Sequence, residues 1–351
     1  MAPSFDNPSL RSLALKALSL LMLLVNIQAF AGGHEEGEEF NAGEMIMHHI
    51  LDTHEWHVFG DVHIPLPVIL YHKGEGLKVF MSSAFHNDEH QYEGYGIHHE
   101  QIGVVQADGS IDTSAVIDLS ITKNVVTLFL VSLLMLWVFS SVAKAYKRRG
   151  KAAPKGMQSF FEPIILSIRD EVAKPVIGEK YAKFMPYLLT VFFFIWMANM
   201  LGLVPFLPGG ANLTGNIAVT LVLAACTFVI ILANGNKNYW QHIFAMPGVP
   251  AWLLVIMTPI EIIGMFLRPA VLCIRLFANI TAGHITILAF ISLIFILRQA
   301  GDAAGWGVAP VSVLLSVFVT FIELLVAFLQ AFIFTLLSAT YFAAAVEEAH
   351  H

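Results

Sequence analysis

At 351 residues, with 57% of positions hydrophobic, 13% charged and a mean hydropathy of +0.70, the chain carries too little polar surface to enclose itself as a water-soluble globule. Its two cysteines, Cys226 and Cys273, both fall in apolar stretches, which excludes a disulfide framework or a zinc–thiolate site. The formal charge of −7 changes sign along the sequence, no nucleic-acid partner is expected, and the asymmetry itself is the informative part.

Residues 1–31 read as a cleaved secretory signal peptide: Arg11 and Lys16, an apolar core over 17–25, then Ala29-Phe30-Ala31 before Gly32. The alternative, an uncleaved anchor, meets the difficulty that this core is short of the ~20 residues a spanning helix needs. Residues 32–120 then form an acidic, His-rich domain outside the cytoplasm. Up to Asp118 it holds 16 Asp or Glu, two strong bases (Lys73 and Lys78) and 11 of the 15 histidines. The runs 56–59, 68–72 and 77–81 are rich in Val, Ile, Phe and Tyr and bounded by Gly or Pro, so they are expected to be small β-strands.

Residues 121–351 read as a membrane domain. A charge-free span over 125–143 ends in Lys144, Lys147, Arg148, Arg149 and Lys151, which places that end in the cytoplasm. The connection 144–183 holds ten Lys or Arg against four acids, interleaved with Phe160, Phe161, Ile164, Ile165 and Ile168. It is expected to lie as an amphipathic helix on the cytoplasmic membrane face. Spans over 184–207 and 216–233 return outward and back to Lys237. Two longer apolar segments follow, 251–297 and 311–346, and the alternation leaves the C-terminus cytoplasmic. The first of these would reach ~70 Å as a helix against a ~30 Å hydrocarbon core, so the pair must tilt steeply or bend, with Pro259 and Pro269 available as kinks. The expected fold is an all-α polytopic membrane protein of about five membrane helices, one long tilted pair among them, with a small extramembrane N-terminal domain. No internal repeat is visible.

Within the long segments lie Glu261, Arg268, Arg275, Asn279, His284, Glu323 and Gln330, each flanked by aliphatic and aromatic residues. An arginine at the centre of a membrane helix costs about 2.5–3.5 kcal/mol on insertion scales, so such groups face protein or water and mark ion paths. Glu261, Arg268 and Arg275 are spaced seven apart and share a helix face. Asn279 extends that face and His284 points away from it, while Glu323 and Gln330 share a face of the last segment. The structural alternative has Arg268 snorkelling, His284 hydrogen-bonded between helices, and Asn279 and Gln330 acting as interhelical glue. It serves Arg275 least, since no acid lies near it in sequence.

The run Arg275-Leu276-Phe277-Ala278-Asn279-Ile280-Thr281-Ala282-Gly283-His284 resembles the signature of subunit a of F-type ATP synthases. Gln330-Ala331-Phe332-Ile333-Phe334 with Tyr341 is similar to that family's last helix, and Asn199-Met200-Leu201-Gly202-Leu203-Val204-Pro205 to a further segment. The resemblance covers roughly 124–351. It implies a stator proton channel in a bacterial inner membrane, working against a c-subunit rotor ring, braced by the b subunit of the peripheral stalk within the ATP synthase complex, with the N-terminal domain periplasmic. Arg275 would be the essential charge between two half-channels. Asn279, His284, Glu323, Gln330, Glu261, Arg268, Asn216 and Tyr341 would line the proton path.

Some members carry Glu ten positions into the signature and His on the last helix, whereas this chain has His284 and Glu323. Asn216 and Ala218 stand where some members have polar or acidic residues, and the acidic 32–118 segment has no counterpart in the common bacterial form. No cofactor or metal is expected, and with no glycine-rich phosphate loop the nucleotide chemistry belongs to other subunits. Two other readings are open: an unrelated transporter whose Arg275 binds an anionic substrate, and a metal sensor using His48, His49 and the run His86-Asn87-Asp88-Glu89-His90.

Overall fold

Alternating side chains and tight turns build the outer segment as a small α+β body, as seen in a computed structural model. The structure describes residues 41–347 apart from 60–61, 88–90, 99, 108, 151, 205–209 and 247; the expected signal peptide lies outside these. Helix α1 (Ala42–Ile50) precedes β1 (Glu55–Phe59), β2 (Val62–Pro65), β3 (Pro67–His72), β4 (Gly76–Met81), β5 (Gln91–Tyr92), β6 (Tyr95–His98), β7 (Gln101–Val105), β8 (Ile111–Asp112) and β9 (Val116–Asp118). The strands pair antiparallel in three sheets: β1–β2, β4–β3–β9 and β5–β6–β7–β8. The expected strands at 56–59, 68–72 and 77–81 are β1, β3 and β4.

Among the described residues, five helices are long and apolar enough to cross a membrane. They are α2 (Lys123–Arg149); the run Met157–Gly202, made of α3 (Met157–Ser167), a π-helical stretch (Ile168–Ala173), α4 (Lys174–Ile177) and α5 (Tyr181–Gly202); α6 (Ile217–Asn234); and, after the short α7 (Lys237–Phe244), α8 (Ala251–Gln299) and α9 (Asp302–Val346). The last pair has 49 and 45 residues, ~74 and ~68 Å at 1.5 Å per residue. Both are assigned as helix straight through their prolines, Pro259 and Pro269 in α8 and Pro310 in α9.

Contacts divide the chain into two units. The first contains the described residues up to Thr127 with Leu201–Ala211 and Gly283–Ile322. Its outer core gathers Val68, Leu70, Phe85, Tyr95, Ile102 and Val116, the inward set of the alternating strands. Asp52 accepts hydrogen bonds from the Asn124 amide at 3.0 Å and the Thr122 hydroxyl at 2.9 Å, and the Lys123 amide donates to the Thr53 carbonyl. A carboxylate thus satisfies the exposed donors and the positive end of α2. In the same unit α8 and α9 are joined through Ala300 and Gly301. Gly301 has φ +145 and sits so close to the helix ends that its amide donates to Arg298.

Beside that cap, His54 is 3% exposed and lies 3.1 Å from Asp118 Oδ2 and 3.7 Å from Glu100 Oε2. Burial pushes the imidazole down, but the hydrogen bonds and charges of Asp118 and Glu100 outweigh it and raise the pKa from 6.5 to about 9. For Asp118, burial raises the carboxyl while His54 and Ser120 lower it further, leaving it below its ordinary value of 3.8. A raised cation stabilises the fold fully below its unfolded value and loses that contribution as pH climbs through the folded one. The clamp is therefore expected to be intact from about pH 4 to 6.5 and to be lost toward about pH 9, a contribution of about 3 kcal/mol. Thermal unfolding of the full chain should show an outer-domain transition that falls between pH 6.5 and 9 in the wild type and stays level in His54→Gln.

The second unit holds Leu128–Met200, Asn212–Ala282 and Glu323–His351. Its core packs Phe184, Leu188, Ile231, Tyr239, Ile243, Ala339, Phe342 and Ala345 with the buried side of the expected amphipathic stretch, Val172, Ala173 and Ile177. Phe184 stacks on Phe342 at 4.8 Å, and Phe161 and Phe139 pack on Phe193. The alanines on α9 admit these rings because small residues let membrane helices approach closely. Phe160, adjacent to buried Phe161, is 57% exposed, giving this stretch the two-sided character its sequence implies.

Candidate functional site

Two helix faces in the second unit converge on a concavity of about 440 Å³ lined by Arg275, Asn279, Val326, Leu329, Gln330 and Ile333. Arg275 and Asn279 are one turn apart on α8. The α9 contributors fall at i, i+3, i+4 and i+7, the spacing that aligns side chains along one helix. Gln330 is buried at 5% exposure, whereas Arg275 and Asn279 are exposed. Among the described residues no carboxylate pairs with Arg275. The result is a permanent cation beside two amides, open on one side and unneutralised by any acid among the described residues.

Arg268, one heptad earlier, has its guanidinium 5.8 Å from the centre of the Tyr341 ring. A cation over an aromatic face is held by the ring quadrupole, so two expected path residues partner each other. Glu261, a further heptad back, is half-buried. Glu323 on α9 is 8% exposed, and neither carboxylate oxygen has a hydrogen-bond partner among the described residues. A buried carboxyl left without donors is costly and marks a group retained for something other than stability.

His284 lies in the first unit and is half-buried. Gly202, at the end of α5, belongs to that unit too. A methyl there would come within 3.2 Å of the Ala211 carbonyl, a tight approach, and within ordinary contact of His284 Nε2 at 3.9 Å, so the glycine sits against the imidazole. Asn216 is the N-cap of α6: its side chain accepts from the Ala218 amide at 2.9 Å. That hydrogen bond accounts for the residue locally.

Residue spacing did not single out Asn199 and Thr214. The Thr214 hydroxyl donates to Asn199 Oδ1, and Asn199 Nδ2 donates to the Ala327 carbonyl, one turn after Glu323. Asn212, buried close by in sequence, leaves its Nδ2 without an acceptor. The signal was the run Asn212, Thr214 and Asn216 between two apolar spans, amides and a hydroxyl set next to membrane-capable helices. For the metal-sensor reading, no group of three or more metal-ligating side chains is found among the described residues. His86 instead pairs with Glu55, and Asp88, Glu89, His90 and the side chains of His48 and His49 lie outside the described set.

Residues 125–343, which carry this whole arrangement, match the family described as ATP synthase A chain. The chain belongs to that family. The family is the proton-channel stator subunit of the membrane sector, so this is a multi-pass membrane subunit of the ATP synthase complex. Its relatives include an ATP synthase subunit a 2 of Chlorobium luteolum, 41% identical over 335 residues, 91% of this chain and 81% of the relative. The ATP synthase subunit a 2 of Chlorobaculum tepidum is 40% identical over 322 residues, covering 90% and 76%. A Myxococcus xanthus ATP synthase subunit a is 42% identical over 245 residues, covering 67% and 76%. Residues 45–123 separately match a domain of unknown function, so the N-terminal segment has counterparts of its own.

Proposed function

We propose that Arg275 is the charge that separates two aqueous half-channels and meets the ionised carboxyl of each passing c subunit. The carrying observation is the open concavity in which Arg275 and Asn279 stand with Gln330, supplied with no acid among the described residues. An acid brought by a neighbour would complete the pair. Guanidinium keeps its proton at any accessible pH, so it attracts the rotor carboxylate and favours proton release without relaying protons. The same fixed charge, in low-dielectric surroundings, repels a proton passing directly between half-channels.

His284 and Glu323 are the acid–base groups of the outer inlet and Glu261 that of the cytoplasmic outlet, while Arg268 and Tyr341 hold the helix pair beside it. Asn216 serves at the mouth of α6. The chain itself carries out no nucleotide chemistry. Residues 1–31 are removed on export, 32–120 lie in the periplasm, and 121–351 form the channel in the bacterial inner membrane. The bases between 144 and 155 support a cytoplasmic end for α2 and, by alternation, a cytoplasmic C-terminus. The b subunit braces this domain against rotation.

With Cys226 and Cys273 replaced by alanine, Asn279→Cys is expected to form a disulfide with a single cysteine placed beside the rotor carboxyl of the coexpressed ring. Retrieval of intact chain with no ring, and no cross-link in the membrane, would refute the assignment.

A further inference from the structure

On the β4–β3–β9 sheet one face is core and the other is apolar and exposed. Tyr71 stands opposite Leu77 on one side and Ile117 on the other, and Ile69 opposite Val79, with the Leu119 amide donating to Ile69. Leu77 and Val79 are 61% exposed, Leu119 59%, and Met81 continues the row. Strand alternation puts Val68, Leu70 and Phe80 on the opposite side, against the core, so this is a second apolar face and not a misplaced core. A contiguous uncharged patch of this kind on an extramembrane domain marks a contact surface.

We infer that this face rests on the lipid surface of the leaflet that α2 enters. Strand β9 runs directly into that helix: Leu119 is six residues before Val125, where the charge-free run begins. A fully extended chain covers at most ~3.3–3.6 Å per residue, so Leu119 lies within about 20 Å of the hydrocarbon boundary. The interfacial zone adds roughly 5–8 Å on each side of the core, and so short a tether keeps the sheet close to it. The apolar face is continuous in sequence with a lipid-embedded helix. The domain's 16 acids against two bases would hold its other surfaces away from anionic headgroups. Contact is therefore apolar, made to zwitterionic lipid and insensitive to salt.

The test uses the full chain in phosphatidylcholine nanodiscs, with Cys226 and Cys273 replaced by alanine and a nitroxide attached at Val79→Cys, Leu119→Cys or, as control, the exposed turn residue Ala107→Cys. Oxygen, which dissolves in hydrocarbon, and a water-soluble nickel chelate compete as relaxing agents. The oxygen-to-nickel accessibility ratio at 79 and 119 is expected to exceed that at 107 by about tenfold, equivalent to ~1.4 kcal/mol of partitioning, and to be unchanged by added salt. Introducing Val79→Asp should bring the ratio at 119 down to the control value without unfolding a surface position. Ratios at 79 and 119 equal to that at 107 would leave the face in water, and exclusion of both agents would mean a protein covers it; either result overturns the inference.

Discussion

Arg275→Lys is expected to reduce ATP-driven proton pumping in inverted vesicles to background while the chain still inserts and assembles. The two side chains carry the same charge, but an ammonium in a desolvated setting sheds its proton readily and a guanidinium does not. A lysine at the lip of the Arg275–Asn279–Gln330 concavity could become neutral, which would remove both the attraction for a rotor carboxylate and the barrier to leakage. Passive proton conductance should therefore hold or rise as pumping disappears. Wild-type pumping in the variant would show that any cation suffices and that the barrier lies elsewhere.

Glu323→Gln should be the second severe change, lowering proton-driven ATP synthesis by at least about tenfold, the ~1.4 kcal/mol scale of losing one relay group. The two side chains are nearly isosteric, and neither oxygen of Glu323 holds a hydrogen bond in the fold, so the amide removes a titratable site while disturbing little packing. Glu323→Asp keeps the carboxyl and is expected to retain more activity than the glutamine variant. The comparison is made at equal incorporation, measured by the amount of chain recovered in the assembled complex. Equal activity of the glutamine variant and the wild type would remove Glu323 from the proton path.

Spacing made the concavity readable in advance: the four-residue step from Arg275 to Asn279 fixes a common face whatever the tertiary context, and Gln330 followed from its motif. The partners were harder. That Arg268 stacks on Tyr341, 73 positions on, or that Asn199 donates to Ala327, depends on which helices become neighbours, and helical periodicity within one segment carries no such information. Asn216 shows the converse. Its polar side chain at the start of a span reads as channel lining, and the hydrogen bond it accepts from the backbone amide of Ala218 adds a cap that this reading did not include. In the outer domain, β3 and β4 were evident from composition. The placement of β9 against β3 was not, because it pairs residues more than 40 positions apart.

The cap that Asp52 places on α2 has a bearing on how the protein is made. In the topology proposed above, export from the N-terminus would deliver Asp52 across the bilayer more than 70 residues before the Asn124 amide it receives, so that α2 would meet a waiting acceptor as it threads. Once joined, the outer end of that helix is moored to a folded body too polar to follow it into lipid, which fixes its depth against sliding under load.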